Sequence, residues 1–336
     1  MSFSAVSFRQ KRILSLFLIL TLFSILISAC SSAEPTVLTT SPAYSSTITT
    51  ATASPYVTVA PTPIQTLEVS QSLTLEIGGF SSFVYFPVGL DKTEPAQILL
   101  VLHGMGGNGQ AMGRILTDYA DRYHMVLIAP SLQYNQNWKD ISVIAKEDPA
   151  ISAQLQNMID QIPATLGLQI YPKVMLFGFS RGAQLAHRFA MFYPERVFAA
   201  AIISAGGYSL PVTNEPNVDQ KSQPASKIMP FPFGVGDISH YTGHVFNREA
   251  FTKVQFVVEV GELDNKSADV PRDYDPYLGN NRLERARTFY KWLQQVGVHA
   301  TFNTFPKAGH EITPEMGQMA FQFFRNAQQA TNRNAA

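Results

Sequence analysis

Apolar and polar positions change their spacing repeatedly along residues 67–327, and each change marks an element. Residues 67–77 and 82–87 alternate apolar with polar, the period of a half-buried strand, and Gly78-Gly79 between them predicts an antiparallel hairpin. Residues 98–102, Ile-Leu-Leu-Val-Leu, form an unbroken apolar run suited to a strand covered on both faces. Apolar spacings of three and four then predict a helix over 110–124, followed by a strand over 125–128. The same reading gives helix 151–162, strand 174–177, helix 182–193, strands 199–203 and 254–260, helix 282–296, strand 300–305 and helix 314–327. Strands that alternate with helices predict an α/β domain over 67–330, with a mostly parallel central sheet covered by helices on both faces. Residues 331–336 are expected to be a disordered tail.

Two stretches carry no such period. Residues 205–251 are rich in proline and loop-like, and a long irregular excursion in a compact domain is usually functional or disordered. It leaves the sheet beside the strand at 199–203, so it is placed as a lid. Phe231, Phe233, Tyr241 and Phe246 within it either line a pocket or pack the excursion onto the body. The other stretch is 31–66, where Ser, Thr, Ala and Pro dominate and Glu34 is the only charge, the composition of a linker. As a coil it would reach about 35 Å.

Ahead of that linker, Arg9, Lys11 and Arg12 precede an uncharged apolar run over 13–27 and then Ser28-Ala29-Cys30, the layout of an export signal over 1–29. Ile27-Ser28-Ala29-Cys30 resembles the lipobox of bacterial lipoproteins, which implies that Cys30 is lipidated. The expected product is a folded body tethered to a membrane by its N-terminal lipid, with 30–66 as the spacer. An ordinary cleaved signal and an uncleaved anchor are the plainer alternatives.

Composition narrows the function. The 336 residues are 46% hydrophobic and 15% charged, and Lys plus Arg equals Asp plus Glu at 25 each, which argues against a nucleic-acid partner. Cys30 is the only cysteine, so neither an internal disulfide nor a multi-cysteine metal site is available. His240 and His244 are four apart, but no acidic third ligand completes a metal motif around them.

Candidate chemistry lies where strands end, since α/β sheets bind ligands at the carboxyl ends of their strands. The strand at 174–177 breaks at Gly178-Phe179-Ser180-Arg181-Gly182 into an amphipathic helix. A serine at such a turn is held out above the sheet, with the glycines making room for the backbone, so Ser180 is a candidate nucleophile. After the strand at 98–102 comes His103-Gly104-Met105-Gly106-Gly107, a bend whose N–H groups suit an oxyanion together with that of Arg181. Gly104, Gly106 and Gly109 also match a dinucleotide loop, but the next strand ends in Ala129-Pro130-Ser131 with no acid to meet a ribose. No phosphate loop is present, and no cofactor is implied. His103 reads as a structural turn residue. Asp264, in Gly261-Glu262-Leu263-Asp264, and His310, in Gly309-His310-Glu311, follow two later strands. The chain order Ser180, Asp264, His310 is that of the α/β-hydrolases.

With these motifs the chain resembles the α/β-hydrolases over nearly all of 67–330, and is most similar to secreted esterases grouped with polyhydroxybutyrate depolymerases, feruloyl esterases and dienelactone hydrolases. The resemblance implies a Ser180–His310–Asp264 triad, with Met105 and Arg181 supplying backbone N–H groups to the oxyanion. It implies a carboxylic ester, small or polymeric, as substrate. Arg181 departs from the small residue usual after the nucleophile in depolymerase and feruloyl members. A cation at a helix N-terminus opposes the dipole, so its side chain is expected to meet a protein carboxylate or an acidic substrate group, unless it is simply solvated. Glu262 is the nearest rival of Asp264 for the triad acid. A peptidase acting on amides and a non-catalytic binding module on the same scaffold are the alternative functions.

Overall fold

The computed structural model describes residues 66–215 and 227–335, with side chains to 330. Among these residues eight strands form one sheet: β1 (Gln71–Ile77), β2 (Phe80–Phe86), β3 (Gln97–Leu102), β4 (Met125–Pro130), β5 (Val174–Phe179), β6 (Val197–Ile203), β7 (Gln255–Gly261) and β8 (Ala300–Phe305). Their spatial order is β1-β2-β4-β3-β5-β6-β7-β8. β1 and β2 pair antiparallel across Gly78-Gly79, β2 joins β4 antiparallel, and every later pairing is parallel.

The longer helices are α1 (Gly109–Arg114), α2 (Thr117–Tyr123), α3 (Ile141–Leu166) and α4 (Arg181–Phe192). Three single turns follow, α5 (Ser239–Thr242), α6 (Arg248–Phe251) and α7 (Asp275–Leu278), before α8 (Arg282–Gln295) and α9 (Pro314–Ala335). Alternation along the strands splits the core between two layers. Ile98, Leu100 and Leu102 of β3 face a layer with α3, α4 and α8, while Leu99 and Val101 face one with α1, α2 and α9. This is the two-faced burial that a continuous apolar strand requires. The α/β-hydrolase arrangement, a mostly parallel sheet with helices on both faces, is the fold.

Several boundaries differ from the sequence pattern, each for a local reason. The helix expected over 110–124 is two, because α1 tightens at its end, where the Leu116 N–H donates to the Gly113 carbonyl at 3.0 Å. The helix expected over 151–162 begins ten residues earlier. Asp140 caps it by accepting from the Ser142 N–H at 2.8 Å, and Pro149 lies inside the helix instead of stopping it. At the other end of the chain α9 runs to Ala335, so 331–335 is helical backbone rather than the tail expected there; nothing after Ala327 is a helix breaker.

The described parts of the excursion, 205–215 and 227–251, are seated in the body rather than standing over the sheet. Tyr208, Leu210, Met229, Phe231 and Val235 are all buried in the layer shared with α3, α4 and α8. Arg188 of α4 fastens it: Nε donates to Ser209 Oγ at 3.0 Å, and that hydroxyl donates to the Pro232 carbonyl at 2.6 Å.

Candidate active site

β3 lies between β4 and β5, the two strands that leave it in opposite directions, so the sheet's topological switch falls beside the carboxyl ends of β3 and β5. Ser180 stands there, between β5 and α4, with φ 53° and ψ −112°. A non-glycine residue in that region is strained, and the strain is held by neighbours. The Ser180 N–H donates to the Ile203 carbonyl at 2.9 Å. A side chain on Gly182 would sit 2.1 Å from the Leu102 carbonyl oxygen, so only glycine lets α4 start this close to β3.

Asp264 and His310 come from consecutive strand ends whose backbones interlock. The Glu262 N–H donates to the Phe305 carbonyl and the Leu263 N–H to the Ala308 carbonyl, each at 3.0 Å. A side chain on Gly261 would come within 2.2 Å of the Ala308 oxygen, which explains the glycine that ends β7. The result is a hydrogen-bonded chain: Asp264 Oδ2 to His310 Nδ1 at 2.8 Å, and His310 Nε2 to Ser180 Oγ at 2.9 Å. An ionised carboxylate only accepts, so Nδ1 carries the proton and Nε2 is left to accept from the hydroxyl. Asp264 is 4% exposed, and its Oδ1 accepts from Arg282 Nη1 at 3.2 Å. The Phe179 ring stacks on the imidazole at 5.0 Å. Glu262 is turned elsewhere, its Oε1 accepting from Thr304 Oγ1 at 2.8 Å. Asp275 is engaged by Arg272 and Arg285.

The bend after β3 lies alongside the elbow because β3 and β5 are adjacent, with Leu102 opposite Gly178. His103 is buried, and burial holds its imidazole below the usual histidine range. Its Nε2 accepts from the Leu132 N–H at 2.9 Å, so Nδ1 carries the proton and donates to the Gly104 carbonyl at 2.8 Å. Gly107 N–H donates to the same oxygen at 3.1 Å. In a planar trans peptide the C=O and the following N–H point opposite ways, so holding the Gly104 oxygen aims the Met105 N–H. Arg181 is the first residue of α4, where the N–H has no partner within the helix. His103 therefore serves the turn rather than the chemistry.

The Arg181 side chain meets protein carboxylates. It is 1% exposed; its Nη2 donates to Glu147 Oε2 at 2.6 Å and to Asp148 Oδ1, while Arg188 Nη1 takes the other Asp148 oxygen. Burial alone would raise the Asp148 carboxyl, but the two guanidiniums outweigh it and hold it below the usual carboxylate range. Sequence reasoning missed Glu147 and Asp148 because it began the helix at 151. The signal that could have found them is Asp140 as an N-cap for Ile141.

Around Ser180 and His310 opens a cleft of about 340 Å³ walled by Trp138, Lys139, Asp269 and Arg282. Beside it, across Gly104, Met105 and Phe179, runs a groove of about 330 Å³ lined by Met112, Ile115 and Ile312. Among the described residues none of 205–251 lines either space. Of the two readings of its four aromatics, packing is what they do: Phe231 on Phe192 at 5.2 Å and on Tyr241 at 5.3 Å, Phe233 on Tyr274 at 5.1 Å, and Phe246 on Phe251 at 5.3 Å. Trp138 and Lys139 come from the patternless turn before α3 and were not anticipated. Among the described residues no group of three or more His, Cys, Asp or Glu is arranged to hold a metal. Nor is any described helix long and apolar enough to cross a membrane. Cys30 and the linker up to 65 lie outside the described residues.

Residues 85–217 match the family described as Phospholipase/Carboxylesterase, a segment that contains Met105, Ser180 and Arg181 and ends before Asp264 and His310. No curated protein matches the chain. Among solved structures it is similar to poly(aspartic acid) hydrolase-1 from Sphingomonas sp. KT-1, with 18% identity over 76% of this chain and 98% of that one and a TM-score of 0.54. A poly(3-hydroxybutyrate) depolymerase from Bordetella parapertussis gives 20% identity over 72% of this chain and 81% of that one, TM-score 0.50. At such identities the two structures speak for the fold, and the family match speaks for the chemistry of the segment that carries the elbow. The chain has the α/β-hydrolase fold and is a serine hydrolase of carboxylesterase-like kind.

Proposed function

We propose that Ser180 hydrolyses carboxylic esters through an acyl-enzyme, with His310 as general base and acid and Asp264 as the residue that orients it. The observation that carries this reading is the unbroken hydrogen-bond chain from Asp264 through His310 to Ser180. Ser180 Oγ attacks the ester carbonyl as its proton passes to His310 Nε2, and the imidazolium is stabilised by Asp264. The tetrahedral oxyanion takes hydrogen bonds from the Met105 and Arg181 N–H groups. Collapse expels the alkoxide, which leaves as the alcohol with the proton from Nε2. Water, deprotonated by the same nitrogen, then releases the acid and restores the serine. The apolar groove beside the cleft supports an ester with one hydrocarbon arm, short or part of a polymer.

Hydrolysis of p-nitrophenyl butyrate by the purified protein, compared with Ser180→Ala, tests this. Turnover that disappears in the variant is expected; equal turnover in both, or none in the wild type, would overturn it.

The enzyme works outside the cytoplasm, tethered at Cys30 to the cell envelope by lipid, with 30–66 as spacer. The support is the sequence around Cys30 alone. Metabolic labelling with a fatty-acid analogue should mark the wild type and not Cys30→Ala, and equal labelling of both would end the idea.

A further inference from the structure

The two oxyanion donors lie on different segments, Met105 after β3 and Arg181 at the start of α4, so something must hold them in register. One side chain touches both supports. The Arg181 guanidinium carbon lies over the Tyr134 ring, 4.8 Å from its centre, and the same ring meets the His103 ring edge to face with centres 5.3 Å apart. His103 is the residue that holds the Gly104 carbonyl and so aims the Met105 N–H. Arg181 Nε and Nη1 are buried with no hydrogen-bond partner among the described residues, so the π-face of Tyr134 is what compensates them. The Tyr134 hydroxyl is also buried and partnerless, so the ring rather than the phenol makes these contacts. Tyr134 follows Leu132, whose N–H fixes the His103 tautomer, so one short segment reaches both halves of the hole.

We propose that Tyr134 is a positioning residue for the oxyanion hole: its ring, in contact with both Arg181 and His103, sets the Met105 and Arg181 N–H groups relative to each other. This rests on the reading of those two N–H groups as oxyanion donors. A misaligned hole weakens the transition state and leaves the ground state nearly untouched, so the loss falls on kcat.

Kinetics on p-nitrophenyl butyrate and inhibition by an alkyl trifluoromethyl ketone, whose adduct places an oxyanion in the hole, form the test. Tyr134→Phe keeps the ring and should retain kcat and inhibitor affinity within about twofold. Tyr134→Leu should lower kcat by about 10- to 100-fold with KM within about threefold, and weaken the ketone in proportion. Arg181→Lys, which keeps the charge and loses the flat face over the ring, should show the same split and serves if Tyr134→Leu does not fold. Unchanged kcat in the folded Leu or Lys variants overturns the proposal, as does a loss carried by KM, or an equal loss in Tyr134→Phe. Absence of turnover in the wild type with no labelling of Ser180 would instead refute the esterase reading itself.

Discussion

Asp264 divides its two oxygens between His310 and Arg282: Oδ2 faces the imidazole at 2.8 Å, and Oδ1 accepts from the guanidinium at 3.2 Å. With both oxygens committed and only 4% of the residue exposed, the carboxylate has one orientation, and the histidine follows it. Asp264→Asn should keep the fold and lower kcat by about 10³- to 10⁴-fold, because an amide donor in that place favours the wrong imidazole tautomer. Glu262→Gln, whose parent bonds Thr304, should cost less than about tenfold. Steady-state kinetics of the two folded variants checks the assignment, and a reversed ranking would move the acid to Glu262.

The Arg181–Asp148–Arg188 cluster makes a stability prediction. Asp148→Asn leaves two buried guanidiniums short of their counter-charge, at a cost of about 3–5 kcal/mol. The Asp148 carboxyl is depressed in the fold, so its contribution is present above the ordinary aspartate value near ~4 and is lost as pH falls through the lower folded value. Urea titrations at pH 7 and below pH 4 should therefore show the gap between wild type and variant narrowing with acidification. A constant gap would contradict this.

Much of this was legible beforehand, and the division is physical. The sheet's buried strands announce themselves as apolar runs, Ser180 and Asp264 each follow one, and His310 follows the alternating edge strand β8, so local pattern and chain order sufficed to propose the site. What Arg181 meets was not legible, because Glu147 and Asp148 lie more than thirty residues earlier, ahead of the helix expected to begin at 151. The cleft walls were missed because Trp138 and Lys139 sit in a turn without period. Whether the excursion's aromatics line a pocket or pack it onto the body stayed open because position in the sequence says nothing about which way a ring faces; packing on Phe192, Tyr274 and Phe251 decided it.

Glu259 on β7 gives a pH dependence of the opposite sign. Burial, only partly offset by the Asn303 amide at 3.1 Å, pushes its carboxyl up from 4.5 to about 8. The folded state then holds a proton that the unfolded state has released, so stability should fall as pH rises from about 4.5 to about 8, by roughly 1.4 kcal/mol per pH unit. Glu259→Gln removes this slope and should melt higher than wild type at pH 8. Parallel melting curves for the two proteins across that window would refute it.

The groove makes a prediction about chain length. Ile115 is 55% exposed on its rim, an apolar side chain more than half open to solvent. Ile115→Asp should lower kcat/KM for p-nitrophenyl octanoate about three- to tenfold relative to the acetate, since the longer chain loses an apolar contact. Equal effects on both esters would show that the hydrocarbon arm lies elsewhere.

The nucleophile itself is tested most directly by covalent labelling. The purified protein is treated with a fluorophosphonate, digested, and mapped by mass spectrometry, alongside His310→Ala. One adduct on Ser180 in the wild type, formed far more slowly in the histidine variant, is the expected result; a folded wild type that stays unlabelled at Ser180, or labels equally fast without His310, would contradict the assignment.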